Sequence, residues 1–381
     1  MLHFSDTEFA RRKAATETAM EAAQLDGLLC FAPESQFWLT GHDTFGFCFF
    51  QCLIIGAAEP HILVRSADLI QAELTSNLRN IHVWTDGEGV DPALDLRNLL
   101  ENLGFAGKTL GIEMNTHGLT ARNWQRVEAA LDGFATLVDA SALISQLRLV
   151  KSDEELVYVR RAAELADDAL DAGVEVIEAG ASEADVLAHM QGAVLAGGGD
   201  YPGNEFIVGS GDHALLCRYQ SGRRVLDEND QLTLEWAGAY RHYHAAMMRT
   251  VVVGAPDPSH LAMQAAGEEA LLACEDALRP GAPMADVFDT HVRVFERHGL
   301  GHARLNACGY SLGARFAPSW MEDQMFYAGA ATEMAEGMVF FLHMILMNRE
   351  AGTANCLGRT SLITSNGAEP LSRHALDLIR R

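Results

Sequence analysis

Two reactive side chains interrupt apolar segments in the second half of the chain. Glu235 ends a predicted strand that begins at Leu232, where an inward-facing carboxylate needs a partner or a function. His343 lies inside the apolar run 338–347. Carboxylates and imidazoles commonly attack carbon, activate water and move protons near neutral pH. Each type also occurs in ordinary cores, so neither residue is specific by itself.

Two further segments supply polar groups of other kinds. Arg218 supplies a guanidinium and Tyr310 a phenol, each in an otherwise apolar segment. His242 and His244 fall within a predicted strand at 240–253, and alternation along a strand puts both on one face. Their spacing alone leaves metal ligation by the pair open.

The elements that must position these residues change character near residue 150. Before it, predicted strands at 28–31, 47–55, 61–64, 81–84, 110–113 and 136–139 are interrupted by helical patterns, which indicates an α/β domain. Ser152 and Glu155 then form a capping box that opens a long helix. Further strands are expected at 206–208, 215–219, 232–236, 240–253, 338–347 and 361–364. The prediction is an α/β domain at 1–150 followed by an α+β domain at 151–381.

The amino-acid composition limits the kinds of partner and of structural site that can be expected. The formal net charge of −24 disfavours nucleic acid and anionic membranes as partners, but it says little about the substrate, because a local pocket can be basic on an acidic protein. The seven cysteines are scattered without a C-x-x-C pair, which disfavours a disulfide framework or a zinc knuckle. The sequence shows no signal-peptide pattern and no apolar run long enough for a membrane span. A cytoplasmic location is predicted.

Several motifs resemble the creatinase and aminopeptidase P family, and the resemblance covers nearly the whole chain. It implies an α+β fold with an N-terminal creatinase-like domain, a C-terminal pita-bread catalytic domain and a homodimer. In such dimers the first domain reaches over the partner's pocket, which would place the aromatic run 45–50 there. The segments that carry the resemblance are 150–156, Glu235 through Thr250, Gly309 to Gly313, Gly337 to Phe340, and 363–369.

The same resemblance locates the family's five metal-ligand positions. They fall on Glu235, Ala246, Tyr310, His343 and about Gly358. A two-metal centre needs several carboxylates to hold and bridge its ions, and only Glu235 supplies one. The resemblance therefore implies an enzyme without metal or other cofactor.

Within the family, the chain is most similar to ectoine hydrolases, in motifs that include Gly41-His42-Asp43 and Gly199-Asp200-Tyr201-Pro202. This implies metal-independent hydrolysis of a carbon–nitrogen bond in a cyclic amidine carboxylate. The expected catalytic residues are Glu235, His244, His343 and Tyr310, and the expected substrate-binding residues are Arg218, Trp236 and Phe47.

Three alternatives stay open. Arg218 stands where creatinase has a histidine, which favours hydrolysis of a guanidino or N-alkyl amino acid instead. Loss of the metal ligands would also suit a non-catalytic binder of small molecules. A metalloenzyme with rearranged ligands would use His242, His244 and His343.

Overall fold

A computed structural model describes residues 2–381 and divides the chain into two compact units. Unit 1 ends at Arg148, and unit 2 spans Leu149–Arg381. Among the described residues, no helix has the length and apolar character needed to cross a membrane.

Unit 1 is an α/β domain built on a six-stranded sheet of order β4-β3-β2-β1-β5-β6. The pairs β1/β5, β5/β6 and β3/β4 are parallel, and the pairs β1/β2 and β2/β3 are antiparallel. Its elements are α1 (Asp6–Ala22), β1 (Gly27–Cys30), α2 (Pro33–Thr40), β2 (Cys52–Ile55), β3 (His61–Arg65), α3 (Leu69–Thr75), β4 (Asn80–Trp84), α4 (Pro92–Asn102), β5 (Thr109–Ile112), α5 (Ala121–Leu131), β6 (Thr136–Asp139) and α6 (Ser141–Leu147).

The strand predicted at 47–55 is wrong in its first half. Gly46–Cys48 forms a short 3-10 helix, and β2 begins only at Cys52. The turn buries Phe47 within unit 1 and leaves Phe45 82% exposed. The sequence reading also missed α2, in which Pro33 occupies the first helical turn, where a missing N–H costs nothing.

Unit 2 holds the second sheet and four long helices. The capping box predicted at Ser152 and Glu155 is confirmed as the start of α7. The elements are α7 (Asp153–Val176), α8 (Glu183–Ala196), β7 (Ile207–Ser210), β8 (Asp230–Tyr240), β9 (Tyr243–Val253), α9 (Pro258–Ala277), α10 (Met284–Arg297), β10 (Gly309–Ser311), β11 (Val339–Asn348), β12 (Thr353–Thr364), β13 (Gly367–Pro370) and β14 (Ile379–Arg380).

The eight-stranded sheet of unit 2 runs β10-β11-β12-β9-β8-β7, with β13 on β12 and β14 on β9. Residues directly opposite one another in an antiparallel pair share a face, so the register sorts the side chains into two sets. The site face carries Glu235, His244, Ala246, Met248, Tyr310, Phe341, His343 and Gly358; the helix face carries Trp236, Gly238, Tyr243, Phe340, Leu342 and Arg359.

The helix face packs on α7 and α9. Phe340 and Leu342 join a buried cluster with Ala270 of α9. Gly238 lets α7 come close, because a Cβ added there would lie 1.9 Å from the carbonyl oxygen of Ala162. This packing holds β8 and β9 rigidly behind the opposite face.

Two strand predictions in unit 2 are corrected. The strand expected at 240–253 is broken by a two-residue turn, in which Arg241 and His242 have φ values of 52° and 64°. Tyr240 pairs with Tyr243 across the turn, so this is a tight β-hairpin. The strand expected at 215–219 is absent: Gly211–Leu215 is a 3-10 helix, and an irregular loop follows it.

Candidate active site

One row of residues crosses four neighbouring strands on the site face. Glu235 of β8 is opposite Met248 of β9, Met248 is opposite Gly358 of β12, and Gly358 is opposite His343 of β11. This register places the two predicted reactive residues, Glu235 and His343, on the same surface of one sheet.

Tyr310 and His244 extend the row. Tyr310 of β10 pairs with Phe341, and its ring centroid lies 5.7 Å from that of His343. His244 pairs with Ala239 and therefore shares a face with Glu235. The four residues predicted as catalytic thus lie on one face, with exposed fractions between 0% and 9%.

Glu235 is a buried carboxylate without a hydrogen bond to any other residue in the part of the chain that the structure describes. Burial raises the pKa of its carboxyl group to about 7, and the positive charge of Arg218 opposes that rise. The carboxyl group can therefore exchange a proton near neutral pH, as a catalytic acid or base must.

Arg218 lies in an exposed turn, where one guanidinium nitrogen donates to the carbonyl oxygen of Cys217. The loop that follows is anchored by the buried Glu183 carboxylate. This group accepts hydrogen bonds from the Tyr219 hydroxyl at 3.1 Å and from the backbone N–H groups of residues 222–224. The anchored loop keeps the Arg218 charge close enough to affect Glu235.

His244 is held in one neutral form. Its Nε2 accepts a hydrogen bond of 2.8 Å from the backbone N–H of Gly203, so the ring proton must be on Nδ1. The buried Nδ1 has no partner among residues 2–381. Burial lowers the pKa of His244 to about 3, which keeps the ring uncharged near neutrality.

His343 and Tyr310 are also buried and uncharged near pH 7. Burial lowers the pKa of His343 to about 4, and its Nδ1 has no partner within the described chain. Burial raises the pKa of the Tyr310 phenol well above its ordinary value, so the phenol stays protonated. Its oxygen accepts a hydrogen bond of 2.8 Å from Nε1 of Trp320.

A cleft of about 500 Å³ opens beside the row. Arg218, Ile207 and Gly203 line it, together with the exposed ring of Tyr201. Ile207 is the β7 neighbour of Glu235 in register, and Gly203 contacts His244. The cleft therefore lies next to the end of the site face that carries Glu235 and His244, although neither side chain lines it.

One residue predicted to bind substrate is placed elsewhere. Trp236 is on the helix face, fully buried, and its Nε1 donates to the carbonyl oxygen of Ala166 in α7 at 2.8 Å. Since Trp236 follows Glu235 directly in the strand, it lies on the opposite face and does not belong to the group assembled around Glu235. Phe47 is buried in unit 1, and its predicted contact with a partner's substrate stays a prediction.

The prediction that His242 and His244 share a strand face is wrong. His242 lies in the turn between β8 and β9, and its ring stacks on Phe316 with centroids 4.0 Å apart. The metal site considered for His242, His244 and His343 therefore loses the strand geometry on which it depended.

Comparison with known proteins identifies the family. Residues 157–364 match metallopeptidase family M24, and residues 12–150 match the creatinase/prolidase N-terminal domain. The chain belongs to metallopeptidase family M24. This confirms the predicted fold, a creatinase-like domain followed by a pita-bread domain, and it places the chain in a family of hydrolases.

Relatives of the chain have more than one activity. An ectoine hydrolase from Halomonas elongata is 27% identical over 391 residues, covering 97% of this chain and 96% of that protein. An uncharacterized hydrolase/peptidase, y4tM, from Sinorhizobium fredii is 27% identical over 391 residues, covering 100% and 99%. A prolidase structure from Thermococcus sibiricus aligns with a TM-score of 0.88 at 19% identity, covering 99% and 100%.

The side chains of this M24 protein do not fit the two-metal centre that its family name implies. At the five corresponding positions, Ala246 and Gly358 have no donor atom, and the Tyr310 phenol is protonated and bonded to Trp320. Among the described residues, no group of three His, Cys, Asp or Glu side chains is arranged to hold an ion.

The space for one missing ligand is filled by another residue. A Cβ added at Gly358 would lie 2.6 Å from the Leu342 carbonyl oxygen and 2.9 Å from the Phe341 ring. A carboxylate at this position would require Phe341 to move. The departure from the family pattern thus extends from the ligands to the packing around them.

Trp320 and Gly203 contact the site but were missed in the sequence. Both lie in irregular segments, and a hydrogen bond of 3.1 Å from the Trp320 backbone N–H to Oδ1 of Asn204 joins those segments. Because neither residue belongs to a periodic element, no pattern in the sequence pointed to them.

Proposed function

We propose that this chain is a metal-independent hydrolase that cleaves a carbon–nitrogen bond in a small polar metabolite. The first candidate substrate class is a cyclic amidine carboxylate of the ectoine type. The observation that carries the proposal is the site face itself: a single buried carboxylate, Glu235, lies among Tyr310, His244 and His343, where the family holds its ions. The similarity to ectoine hydrolase supports the substrate class.

The charges of the site suit a zwitterion. Glu235 would pair with an amidinium, and this contact would favour the ionised carboxylate despite its burial. Arg218, beside the cleft, would bind the substrate carboxylate through its guanidinium fork. Two opposite charges at separate ends of the pocket fix the direction in which such a substrate binds.

The reaction adds one water molecule. Glu235 removes a proton from water that attacks the amidine carbon, and a tetrahedral centre forms. One ring carbon–nitrogen bond then breaks, the leaving nitrogen takes a proton, and the carbon keeps the oxygen of water as an amide carbonyl. If Glu235 instead attacks the carbon itself, the ring opens to a covalent enzyme intermediate, and water must hydrolyse its ester-like bond to free the carboxylate and the amide. His343 would pass the proton, and Tyr310 would donate a hydrogen bond to the tetrahedral centre.

The decisive experiment is a panel assay of the purified protein with ectoine, hydroxyectoine and creatine. We expect ring opening of ectoine to an N-acetyl diaminobutyrate, unchanged after dialysis against a chelator. Glu235→Gln should lower kcat by about a thousandfold or more, because the carboxylate provides the attacking or activating group.

One control variant and two contrary results test the proposed role of Glu235 and the absence of a metal. Glu296→Gln alters an exposed carboxylate of α10, away from the cleft, and should retain most activity. Stoichiometric iron, zinc or manganese in protein purified without added metal would overturn metal independence. Full turnover by Glu235→Gln would remove Glu235 from the mechanism.

A second candidate is a hydrolase of guanidino or N-alkyl amino acids. The position of Arg218 beside the cleft favours it equally, because such substrates also carry a carboxylate. Turnover of creatine without turnover of ectoine would select it. Saturable binding without any turnover would instead select the inactive binder.

We also propose that the protein is a cytoplasmic homodimer. Among the exposed apolar side chains of unit 1 are Phe45, Phe49, Ile70 and Leu74, with exposed fractions from 43% to 82%. Exposed apolar residues that form a patch suit an interface. Since Phe47 is buried, Phe45 and Phe49 are the residues of the aromatic run that a partner would contact, and Phe45 is the more exposed of the two. Light scattering of the wild type and of Phe45→Ser tests this, and a monomeric wild type would contradict it.

A further inference from the structure

The hydrogen bond between Trp320 and Tyr310 has a fixed direction. An indole N–H can only donate, so the Tyr310 oxygen is the acceptor in the 2.8 Å contact. The phenolic hydrogen then has no acceptor among residues 2–381. The O–H is therefore available to donate to a group that enters the site.

The hydrogen bond to His244 also has a fixed direction. The Gly203 N–H donates to Nε2, so the only ring hydrogen is on the partnerless Nδ1. The His244 ring centroid lies 6.5 Å from that of Trp320. Tyr310 and His244, which both lie beside Trp320, thus each have one polar atom occupied by a donor, and each keeps a hydrogen without a partner among residues 2–381.

We propose that Trp320 is a positioning residue that makes Tyr310 a hydrogen-bond donor and, beside His244, creates a subsite for the oxygen that water adds to the amidine carbon of the substrate. The inference rests on the proposed function for Tyr310 and adds the residue that sets its direction. The added oxygen gains negative charge as its proton is removed, and two hydrogen-bond donors would stabilise it in the transition state.

Trp320 is held firmly enough for this role. Its backbone N–H donates to Asn204, and two residues later Glu322 forms a buried ion pair of 3.0 Å with Lys151. Ser311, the neighbour of Tyr310, donates to the same Glu322 carboxylate at 2.6 Å. The segment that carries Trp320 and the strand that carries Tyr310 are therefore fixed to one buried charge pair.

The kinetic test is a double-mutant cycle with Trp320→Phe, Tyr310→Phe and both together. Trp320→Phe keeps an aromatic ring and removes the N–H. With a substrate from the panel, we expect kcat to fall about tenfold and KM to change less than twofold, because the donor acts mainly in the transition state. In the Tyr310→Phe background the same substitution should have no further effect on kcat.

Trp236→Phe is the matched control. Its N–H is also buried and also donates at 2.8 Å, but to Ala166 on the helix face. It should lower the melting temperature and leave kcat unchanged. If Trp320→Phe lowers kcat equally in both backgrounds, Trp320 does not act through Tyr310 and the proposal is overturned.

A second measurement needs no substrate and separates this inference from the proposed reaction. In ¹H–¹⁵N spectra, the Trp320 indole signal is identified by its loss in Trp320→Phe. It should move upfield in Tyr310→Phe as the acceptor is removed, while the Trp236 signal stays in place. An unmoved Trp320 signal would overturn the inference even in an active enzyme. A moved signal without turnover of any panel compound would leave the donor geometry standing and reject the reaction.

Discussion

The two faces of the sheet in unit 2 differ in how buried carboxylates are paired: those of Glu155 and Glu275 on the helix face are hydrogen-bonded, and that of Glu235 on the site face is not. On the helix face, Trp236 donates to α7, Tyr243 donates to Glu155 of α7 at 2.6 Å, and Arg359 pairs with Glu275 of α9. On the site face, the Nδ1 atoms of His244 and His343 have no partner within residues 2–381.

The difference between the faces separates residues that stabilise the fold from residues that could take part in a reaction. Buried polar groups that are paired lower the free energy of the native state, whereas unpaired ones raise it. Partnerless polar atoms are not confined to the site face, because Nε and Nη2 of Arg249 on the helix face also lack partners within residues 2–381. On the site face, however, such atoms accompany a buried carboxylate that has no hydrogen bond either, and a ligand there would satisfy them. The proposed substrate would supply those contacts.

The largest expected effect on stability concerns the helix face. Gly238→Ala places a methyl group 1.9 Å from the Ala162 carbonyl oxygen, so α7 must move away from β8. We expect the free energy of unfolding to fall by about 3 kcal/mol or more, measured by urea denaturation.

Gly192 provides the control for this substitution. It lies within α8 and a Cβ there meets nothing within 4 Å. Gly192→Ala should raise the free energy of unfolding by about 0.5–1 kcal/mol through helix propensity. Equal effects of the two substitutions would show that α7 is not packed closely on the sheet.

A smaller effect, dependent on pH, is expected on the site face. Because burial raises the pKa of Glu235 to about 7 from an ordinary value of 4.5, the native state retains a proton that the unfolded chain has lost between these values. Stability should therefore fall as pH rises through this window and stay low above it. Relative to Glu235→Gln, the wild type should lose about 2–3 kcal/mol between pH 4.5 and 8.

Urea denaturation of both proteins across this pH range measures the difference. A difference that is independent of pH would mean that Glu235 titrates normally and is not buried as a neutral acid. Activity should change with pH in the opposite direction to stability. If the Glu235 carboxylate attacks the substrate or activates water, kcat/KM should rise as pH increases through the same range.

Tyr310 was found only through the family resemblance of the segment Gly309 to Gly313, because no strand was predicted there. Strand patterns in the sequence were enough to find Glu235 and His343, since each interrupts a predicted apolar strand. They were not enough at residues 241–242, because Arg-His lacks the Asn-Gly or Asp-Gly signature of a tight hairpin turn. Trp320 could not be predicted from the sequence for another reason. Its segment is fixed by the Lys151–Glu322 pair, which joins residues 171 apart in sequence. Contacts of that range leave no local periodicity.

The last and smallest effects come from removing one hydroxyl from each face. Tyr243→Phe deletes a donor to the buried Glu155 carboxylate, and Tyr310→Phe deletes the donor proposed to contact substrate. We expect Tyr243→Phe to lower the free energy of unfolding by about 1–2 kcal/mol, with kcat unchanged. Tyr310→Phe should change stability by less than about 1 kcal/mol and lower kcat about tenfold or more.

The pair is informative because the chemical change is the same and only the face differs. Urea denaturation and steady-state kinetics on both variants give two numbers for each face. If polar groups on the two faces served the same purpose, both substitutions would shift stability and kcat in similar proportion. A loss of kcat in Tyr243→Phe with stability retained would contradict the separate roles of the two faces. The Tyr243 hydroxyl contacts α7, so it could affect the substrate only through the sheet. A loss of stability alone in Tyr310→Phe would make the Trp320 contact structural and leave Glu235 and His343 to carry the chemistry.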